Sequence, residues 1–361
     1  RHMEPYDFDA FIIDAGWYRQ VGEWTPDPGK FAPGEFEDIM CAVAARGVRP
    51  GIWSCPQFVS AEKDELPPEV DVPGFYRKFI DGWLLDYAGM DFTAFLKAHV
   101  AHLREAYHAG WWKYDQDFFT AETRHGAMKN VVAFQDALRA VRRANPDLAI
   151  ENCQSGGRMM NEFTVLLAQA HWLRDGGDNG LDHARANITE ALGALEFVFP
   201  WAAMRWTNNP DRMDTEDTEL MRYYCRSCMA GAWGLVADLG RIEPDLQALL
   251  TREIANYRRL NTFKTGLYDL YRPGRDSAAV CAVFYKPGGT GAAMLLLRWN
   301  EAGAFEFEVP LPHLAETGAY TLTDVDTGAV MHVTGRDLRD NAFTAEFREN
   351  RRSALFFVEP E

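Results

Sequence analysis

Trp111-Trp112-Lys113-Tyr114-Asp115 is the stretch on which the fold turns. Four bulky residues in a row with an acid at the end read as a buried strand, because alternate side chains of a strand face opposite sides and both sides here are large and flat. The flanks are of another kind. Phe92–Tyr107 before it and Asn130–Ala144 after it carry apolar residues at helical spacing, and Asn145-Pro146 closes the second, since proline cannot continue a helix. Helix, buried strand, helix is the unit of a parallel sheet covered by helices.

The unit repeats in both directions along the chain. Upstream, Phe11-Ile12-Ile13-Asp14, Pro50-Gly51-Ile52-Trp53 and Trp83-Leu84-Leu85-Asp86 are short apolar runs of the same texture. Downstream follow Ala149-Ile150-Glu151-Asn152-Cys153, His171-Trp172-Leu173-Arg174-Asp175, a weaker Phe197–Trp201 and Gly234-Leu235-Val236-Ala237-Asp238. Eight such runs predict an α/β chain folded as a (β/α)8 TIM barrel over residues 4–262. From 263 to 361 the texture changes to strand-like segments such as Ala278–Tyr285, Ala292–Trp299 and Ala354–Val358, separated by turns. That region predicts a small C-terminal antiparallel β-sandwich domain.

Composition sets outer limits on function. The 361 residues are 47% hydrophobic and 25% charged, ordinary for a globular chain. With 37 Lys and Arg against 53 Asp and Glu the formal charge is −16, the wrong sign for a phosphate backbone, so nucleic acid is not an expected partner. No long uncharged apolar stretch predicts a membrane span, and no basic-then-apolar leader is visible. A cytoplasmic location is therefore favoured, although Arg1-His2-Met3 reads as an appended remnant and leaves open a native segment upstream. Six scattered cysteines make no disulfide scaffold, and Cys225 and Cys228, the pair with metal-like spacing, fall in an apolar helix pattern without further ligands nearby. No metal and no cofactor is expected.

Barrels of this kind place their chemistry at the C-terminal ends of the strands, and several of these strands end in acids. Asp115 emerges there with Lys113 two residues back on the same face, and a nearby ammonium favours an ionised carboxylate, as a nucleophile requires. Asp175 precedes the flexible run Gly176-Gly177-Asp178-Asn179-Gly180, and Trp172 and the charge of Asp115 would raise its pKa, as a general acid requires. Asp14, Trp17 and Trp53 add an acceptor and flat apolar faces, the two things a pyranose ring binds. The glycines of Cys153-Gln154-Ser155-Gly156-Gly157-Arg158 permit close backbone approach to a ligand, while the run lacks the lysine pattern of a phosphate loop. His171 reads as a core residue behind the site.

Together these motifs resemble glycoside hydrolase family 36, the α-galactosidase or melibiase family of clan D. Asp14-Ala15-Gly16-Trp17 is similar to its Asp-Asp-Gly-Trp, Gly51-Ile52-Trp53 to its Gly-Leu-Trp, and Lys113-Tyr114-Asp115 to its nucleophile motif. Cys153–Arg158 resembles its Cys-Ser-Ser-Gly-Gly-Gly-Arg loop and Trp172-Leu173-Arg174-Asp175 its Trp-Thr-Ser-Asp motif. The resemblance implies a retaining α-glycosidase acting on terminal α-linked galactose or a close relative, with Asp115 as nucleophile and Asp175 as general acid/base. It assigns Asp14, Trp17, Trp53, Lys113, Cys153, Gly156, Arg158 and Trp172 to substrate binding, with Cys153 near the 2-substituent.

Three departures bear on specificity. Ala15 replaces the second acid of Asp-Asp, which in the family helps to read the galactose 4- and 6-hydroxyls. The family's arginine before the third strand has no counterpart around Ile80–Trp83, and its large N-terminal β-sandwich has none in the sequence. An α-N-acetylgalactosaminidase, a transglycosylase on the same scaffold and a catalytically silent sugar-binding barrel are the alternatives. The expected partner is an oligosaccharide or glycoside, with a homo-oligomer left open.

Overall fold

The computed structural model describes residues 3–59, 76–79, 82–85, 87, 91–115, 124–158, 160–175, 180–207, 217–271, 279–298, 304–349 and 351–361. They fall into two compact units, Phe8–Asp175 and a second made of Arg1–Asp7 with Gly176–Glu361.

The Phe8–Asp175 unit holds, in chain order, β1 (Ala10–Ile13), β2 (Tyr18–Gln20), β3 (Glu23–Pro26), α1 (Glu35–Ala44), β4 (Arg49–Ser54) and β5 (Phe58–Val59). There follow β6 (Tyr76–Phe79), β7 (Gly82–Leu85), α2 (Phe92–Tyr107), β8 (Trp111–Tyr114), α3 (Arg124–Ala144), β9 (Ala149–Asn152), α4 (Gln154–Gly157), α5 (Glu162–Leu167) and β10 (Ala170–Trp172). Strands β1, β4, β8, β9 and β10 run parallel in that order, with registers Ile12↔Gly51, Gly51↔Trp111, Lys113↔Glu151 and Glu151↔Ala170. Helix α2 has the bounds read from the sequence. Asp91 caps its first turn, accepting from the Ala94 amide at 3.0 Å, and His108 ends it in a left-handed turn at φ 55°. Helix α3 stops at Ala144, before the proline. Their apolar faces meet the outer side of the sheet, where Trp112, Tyr114 and Ile150 join Leu96, Val100, Phe134 and Leu138 in one buried cluster.

The second unit continues the βα alternation with α6 (Gly180–Ala194), β11 (Ala203–Thr207), α7 (Thr218–Arg226), β12 (Ala232–Leu235) and α8 (Pro244–Asn261). Strands β11 and β12 are parallel, with Met204 opposite Ala232. Beyond them β13 (Tyr268–Tyr271), β14 (Ala279–Tyr285), β15 (Ala292–Arg298), β16 (Phe305–Val309), β17 (Ala319–Asp324), β18 (Val330–Thr334), α9 (Gly335–Asp340), β19 (Phe343–Phe347) and β20 (Ser353–Pro360) complete the chain. Six of these strands form an antiparallel sheet in the order β13-β14-β15-β20-β17-β18, and β16 pairs with β19. Strands β14 and β15 are buried along their whole length, as their unbroken apolar runs require. Within this unit Arg226 of α7 is 0% exposed and donates to Glu253 of α8 at 3.0 Å and to Asp326, after β17, at 2.6 Å, which ties these helices to the antiparallel sheet.

Two expected barrel strands are corrected. Trp83–Leu85 belongs to β7, which pairs antiparallel with β6 and β5, while β4 and β8 bond to each other directly. The run Phe197–Trp201 is a series of turns after α6 with Phe197, Phe199 and Trp201 exposed, and the strand lies just beyond it at β11. Backbone bonds from Phe197 and Val198 to Ala194 carry the helix end into that segment, and Pro200 has no amide to give a ladder. The described residues contain seven parallel strands in the two units together, where the sequence predicts eight.

Candidate active site

Pleating sorts the side chains at the ends of β8, β9 and β10 onto two faces. Trp112 and Tyr114 turn toward the helices, where the Trp112 indole donates to Ser54 Oγ at 2.8 Å and Tyr114 packs on Phe134 with ring centres 5.5 Å apart. Trp111, Lys113, Glu151 and Trp172 meet on the opposite face. There the Trp111 indole donates to Glu151 Oε2 at 2.7 Å, and Lys113 Nζ lies 4.1 Å from the centre of the Trp172 ring.

Lys113 is the hub of this face. Its ammonium donates to Asp14 Oδ2 at 2.7 Å and stands 3.9 Å from Glu151 Oε1. Burial works against its charge, and the attraction of Glu151 and Asp14 more than offsets that, so its pKa rises above the ordinary lysine value. Asp14, at the end of β1, has its other oxygen held by the Ala15 amide at 2.7 Å and stays 59% exposed, so it remains open to a ligand.

Asp115 continues β8 by one residue, its amide bonded to Ser54 O at 2.9 Å, which sets the carboxylate at the strand end. The Trp53 indole donates to its Oδ2 at 3.3 Å. Asp175 is reached from β10 and accepts from the Trp172 indole at 2.9 Å, with the Cys153 thiol 3.9 Å away. Burial first, then the charge of Asp115, raises the pKa of Asp175 against the opposing pull of Trp172 and Lys113. Burial likewise pushes the Cys153 thiol far up, so it is a neutral donor at neutral pH.

The glycine loop after β9 has a definite neighbour. A Cβ on Gly156 would meet the Asp175 amide nitrogen at 2.3 Å, and one on Gly157 would meet the carbonyl oxygens of Trp172 and Leu173 at 2.8 Å. Both glycines have positive φ, 71° and 82°. The sequence predicts a close approach to a ligand here, and the close approach that these glycines make is to the backbone that carries Asp175. Arg158 is exposed beyond the loop.

The structure brings together Asp14, Trp53, Lys113, Asp115, Cys153, Trp172 and Asp175. Trp17 is placed differently. It is 2% exposed, stacks on Phe36 at 5.0 Å and donates to Trp53 O at 2.8 Å, so it supports the Trp53 backbone from within the core. His171 is buried on the outer face, as expected, and burial takes its pKa down to about 4. Asp86 and Asp178 lie outside the described residues, as does the loop 176–179.

Three residues escape the sequence reading as site residues. Tyr18 stacks on Trp53 at 5.7 Å, and its place directly after the Asp14-Ala15-Gly16-Trp17 motif was its only signal. Glu151 shares the face of Lys113, which strand alternation could have told. Gln154 takes a left-handed φ of 45° and buries an amide with neither polar atom hydrogen-bonded, a combination no local pattern announces. Among the described residues no group of three or more His, Cys, Asp or Glu side chains could hold a metal, and no helix is long and apolar enough to cross a membrane.

These parallel strands, with acids at their ends, define an α/β fold of the TIM-barrel kind. No protein-family model and no curated protein matches the chain. Among solved structures it is similar to a family 36 α-galactosidase from Geobacillus stearothermophilus in complex with stachyose, at 15% identity and a TM-score of 0.83, covering 100% of this chain and 52% of that one. An α-galactosidase from Lactobacillus brevis matches at 17% identity and a TM-score of 0.82, covering 100% and 52%. An α-amylase from Geobacillus thermoleovorans complexed with acarbose matches at 7% and 0.70, covering 100% and 90%. The fold is thus that of the family 36 α-galactosidases, and the chain spans about half the length of those it matches.

Proposed function

We propose that this chain is a glycoside hydrolase, a retaining α-glycosidase that removes terminal α-linked galactose or a closely related sugar. The observation that carries the reading is the unequal setting of two carboxyl groups, Asp175 with its pKa raised by burial and by Asp115, and Asp115 itself beside the Trp53 indole. Double displacement needs one carboxyl group that holds its proton more tightly and a second that attacks, and burial and the neighbouring charge favour the proton on Asp175. Asp115 attacks the anomeric carbon as Asp175 gives its proton to the departing oxygen, leaving a glycosyl ester on Asp115. Asp175, now ionised, takes a proton from water, and the water oxygen displaces Asp115 and regenerates both groups. Asp14 and Lys113 bind sugar hydroxyls, Trp53 and Trp172 provide apolar faces, and Cys153 lies toward the 2-substituent. Residues 4–262 serve as the catalytic barrel and 263–361 as a β-sandwich domain.

A panel of aryl α-glycosides, including galactoside, N-acetylgalactosaminide, glucoside and arabinopyranoside, tests substrate class. Proton NMR of the first sugar released from the galactoside should show the α anomer, and initial β anomer would require inversion. Asp115→Asn should abolish turnover with the fold intact, because an amide cannot form the ester. Transfer to a sugar acceptor in preference to water would make the chain a transglycosylase, and inactivity on every member of the panel would leave a sugar-binding barrel.

A further inference from the structure

Glu151 lies under the proposed site and takes no part in either displacement. It is 1% exposed on β9, directly across the ladder from Lys113. One oxygen accepts from the Trp111 indole at 2.7 Å, and the other makes no hydrogen bond but stands 3.9 Å from Lys113 Nζ. Burial raises the pKa of Glu151, and the Lys113 ammonium and the Trp111 indole oppose that rise, since burying a carboxylate is costly unless an opposite charge accompanies it. If accepting one bond from Trp111 were its whole task, a neutral amide would serve. The charge has a use only toward the ammonium, which is itself 6% exposed.

Lys113 in turn touches both halves of the site. It donates to Asp14, and it lies over the Trp172 ring whose indole nitrogen donates to Asp175. We propose that Glu151 is a positioning residue: its buried charge anchors the Lys113 ammonium between Asp14 and the Trp172 ring, and so fixes the geometry with which the site grips a sugar. This rests on the glycosidase reading for its effect on turnover, but not for the anchoring itself.

Glu151→Gln keeps the volume and an acceptor for Trp111 and replaces the charged oxygen that faces Lys113 with a neutral NH2 group. The Lys113 ammonium protons, followed by 15N-resolved NMR, should exchange slowly with solvent in the wild type and rapidly in Glu151→Gln. On an aryl α-galactoside the variant should raise KM about tenfold with little change in kcat, since hydroxyl contacts are made in ground and transition states alike. Glu151→Asp, which restores the charge, should recover part of the loss, and Glu151→Gln combined with Lys113→Met should be no worse than Lys113→Met alone. An unchanged Lys113 signal with an unchanged KM overturns the proposal, as does additivity of the two substitutions. If the wild type hydrolyses no glycoside, the glycosidase reading fails and the ammonium signal still decides the role of Glu151.

Discussion

Alanine in place of Gly156 adds a methyl group 2.3 Å from the amide nitrogen of Asp175 and 3.0 Å from Cα and the carbonyl carbon of Arg174. Side-chain carbons essentially never approach other atoms closer than 3.0 Å, so one of the two backbones must retreat by about 0.7 Å. Neither is a flexible side-chain tip. The φ of 71° adds a conformational cost of about 1–2 kcal/mol for any residue with a Cβ, and overpacking of this kind costs about 1–3 kcal/mol more. Gly156→Ala should therefore lose roughly 2–5 kcal/mol, or less where the loop relaxes. Where the Arg174–Asp175 backbone is the one that gives way, it carries the proposed general acid with it, and misplacing a catalytic group by about 1 Å costs on the order of 100-fold in rate. Thermal melts, with kcat and KM on aryl α-galactosides of good and poor leaving groups, would show a lower midpoint and a rate loss concentrated on the poor leaving groups. A variant that melts with the wild type and turns over poor leaving groups within about twofold of it would refute the claim that this glycine loop sets Asp175.

Asp175→Asn should slow substrates with good leaving groups less than natural glycosides, since the former need little protonation, and equal losses would shift the acid role elsewhere. The same variant carries a stability prediction. A carboxyl group whose folded pKa is raised holds its proton more tightly folded than unfolded, so stability falls as pH rises from the unfolded carboxylate pKa through the folded one. Asp175→Asn should then melt higher than wild type at pH 7 and lose that advantage at pH 3, as scanning calorimetry at the two values would report. Arg226→Met should destabilise by about 1.5–3 kcal/mol in denaturant melts, because it removes the hydrogen-bonded cation shared by buried Glu253 and part-buried Asp326 and leaves them Arg222, at 3.7 Å and 3.5 Å, and Arg351, 3.0 Å from Asp326; a near-wild-type midpoint would show the Arg226 bonds to be dispensable. Ala15→Asp restores an acceptor next to Asp14 and should raise the preference for galactoside over 6-deoxy and pentopyranoside analogues. A wild type already selective by several orders of magnitude, and merely harmed by the change, would mean that another side chain supplies the oxygen.

Much of the site was legible along the chain because strand pleating is a local rule. Once Trp111–Asp115 is a strand, Lys113 and Asp115 must share a face, and the same holds for Glu151 and Cys153. The limits of α2 and the end of α3 were legible for the same reason, since capping and proline act on their own turn of backbone. Asp175 and its indole partner Trp172 are three residues apart, close enough for the motif to carry both.

Pairing and burial are not local properties, and there the sequence was silent or misleading. Gly82–Leu85 has the composition of a barrel strand, but its partners are the antiparallel β5 and β6, and partner choice rests on what the rest of the chain leaves free. Phe197–Trp201 is apolar enough to be buried, yet Val198 and Pro200 alone are, while Phe197, Phe199 and Trp201 are exposed, the last two stacked on each other at 4.4 Å. Trp17 reads as a sugar platform and lies in the core, because an aromatic ring is equally suited to either. A glycine announces close approach without naming what approaches, and only tertiary packing set Gly156 against the backbone of Asp175. The sequence by itself determined which groups reach each face of the strands, because covalent geometry fixes that. Which of them are desolvated, and which charges they meet there, was decided by segments far apart in the chain, and with it the raised pKa values of Asp175 and Lys113.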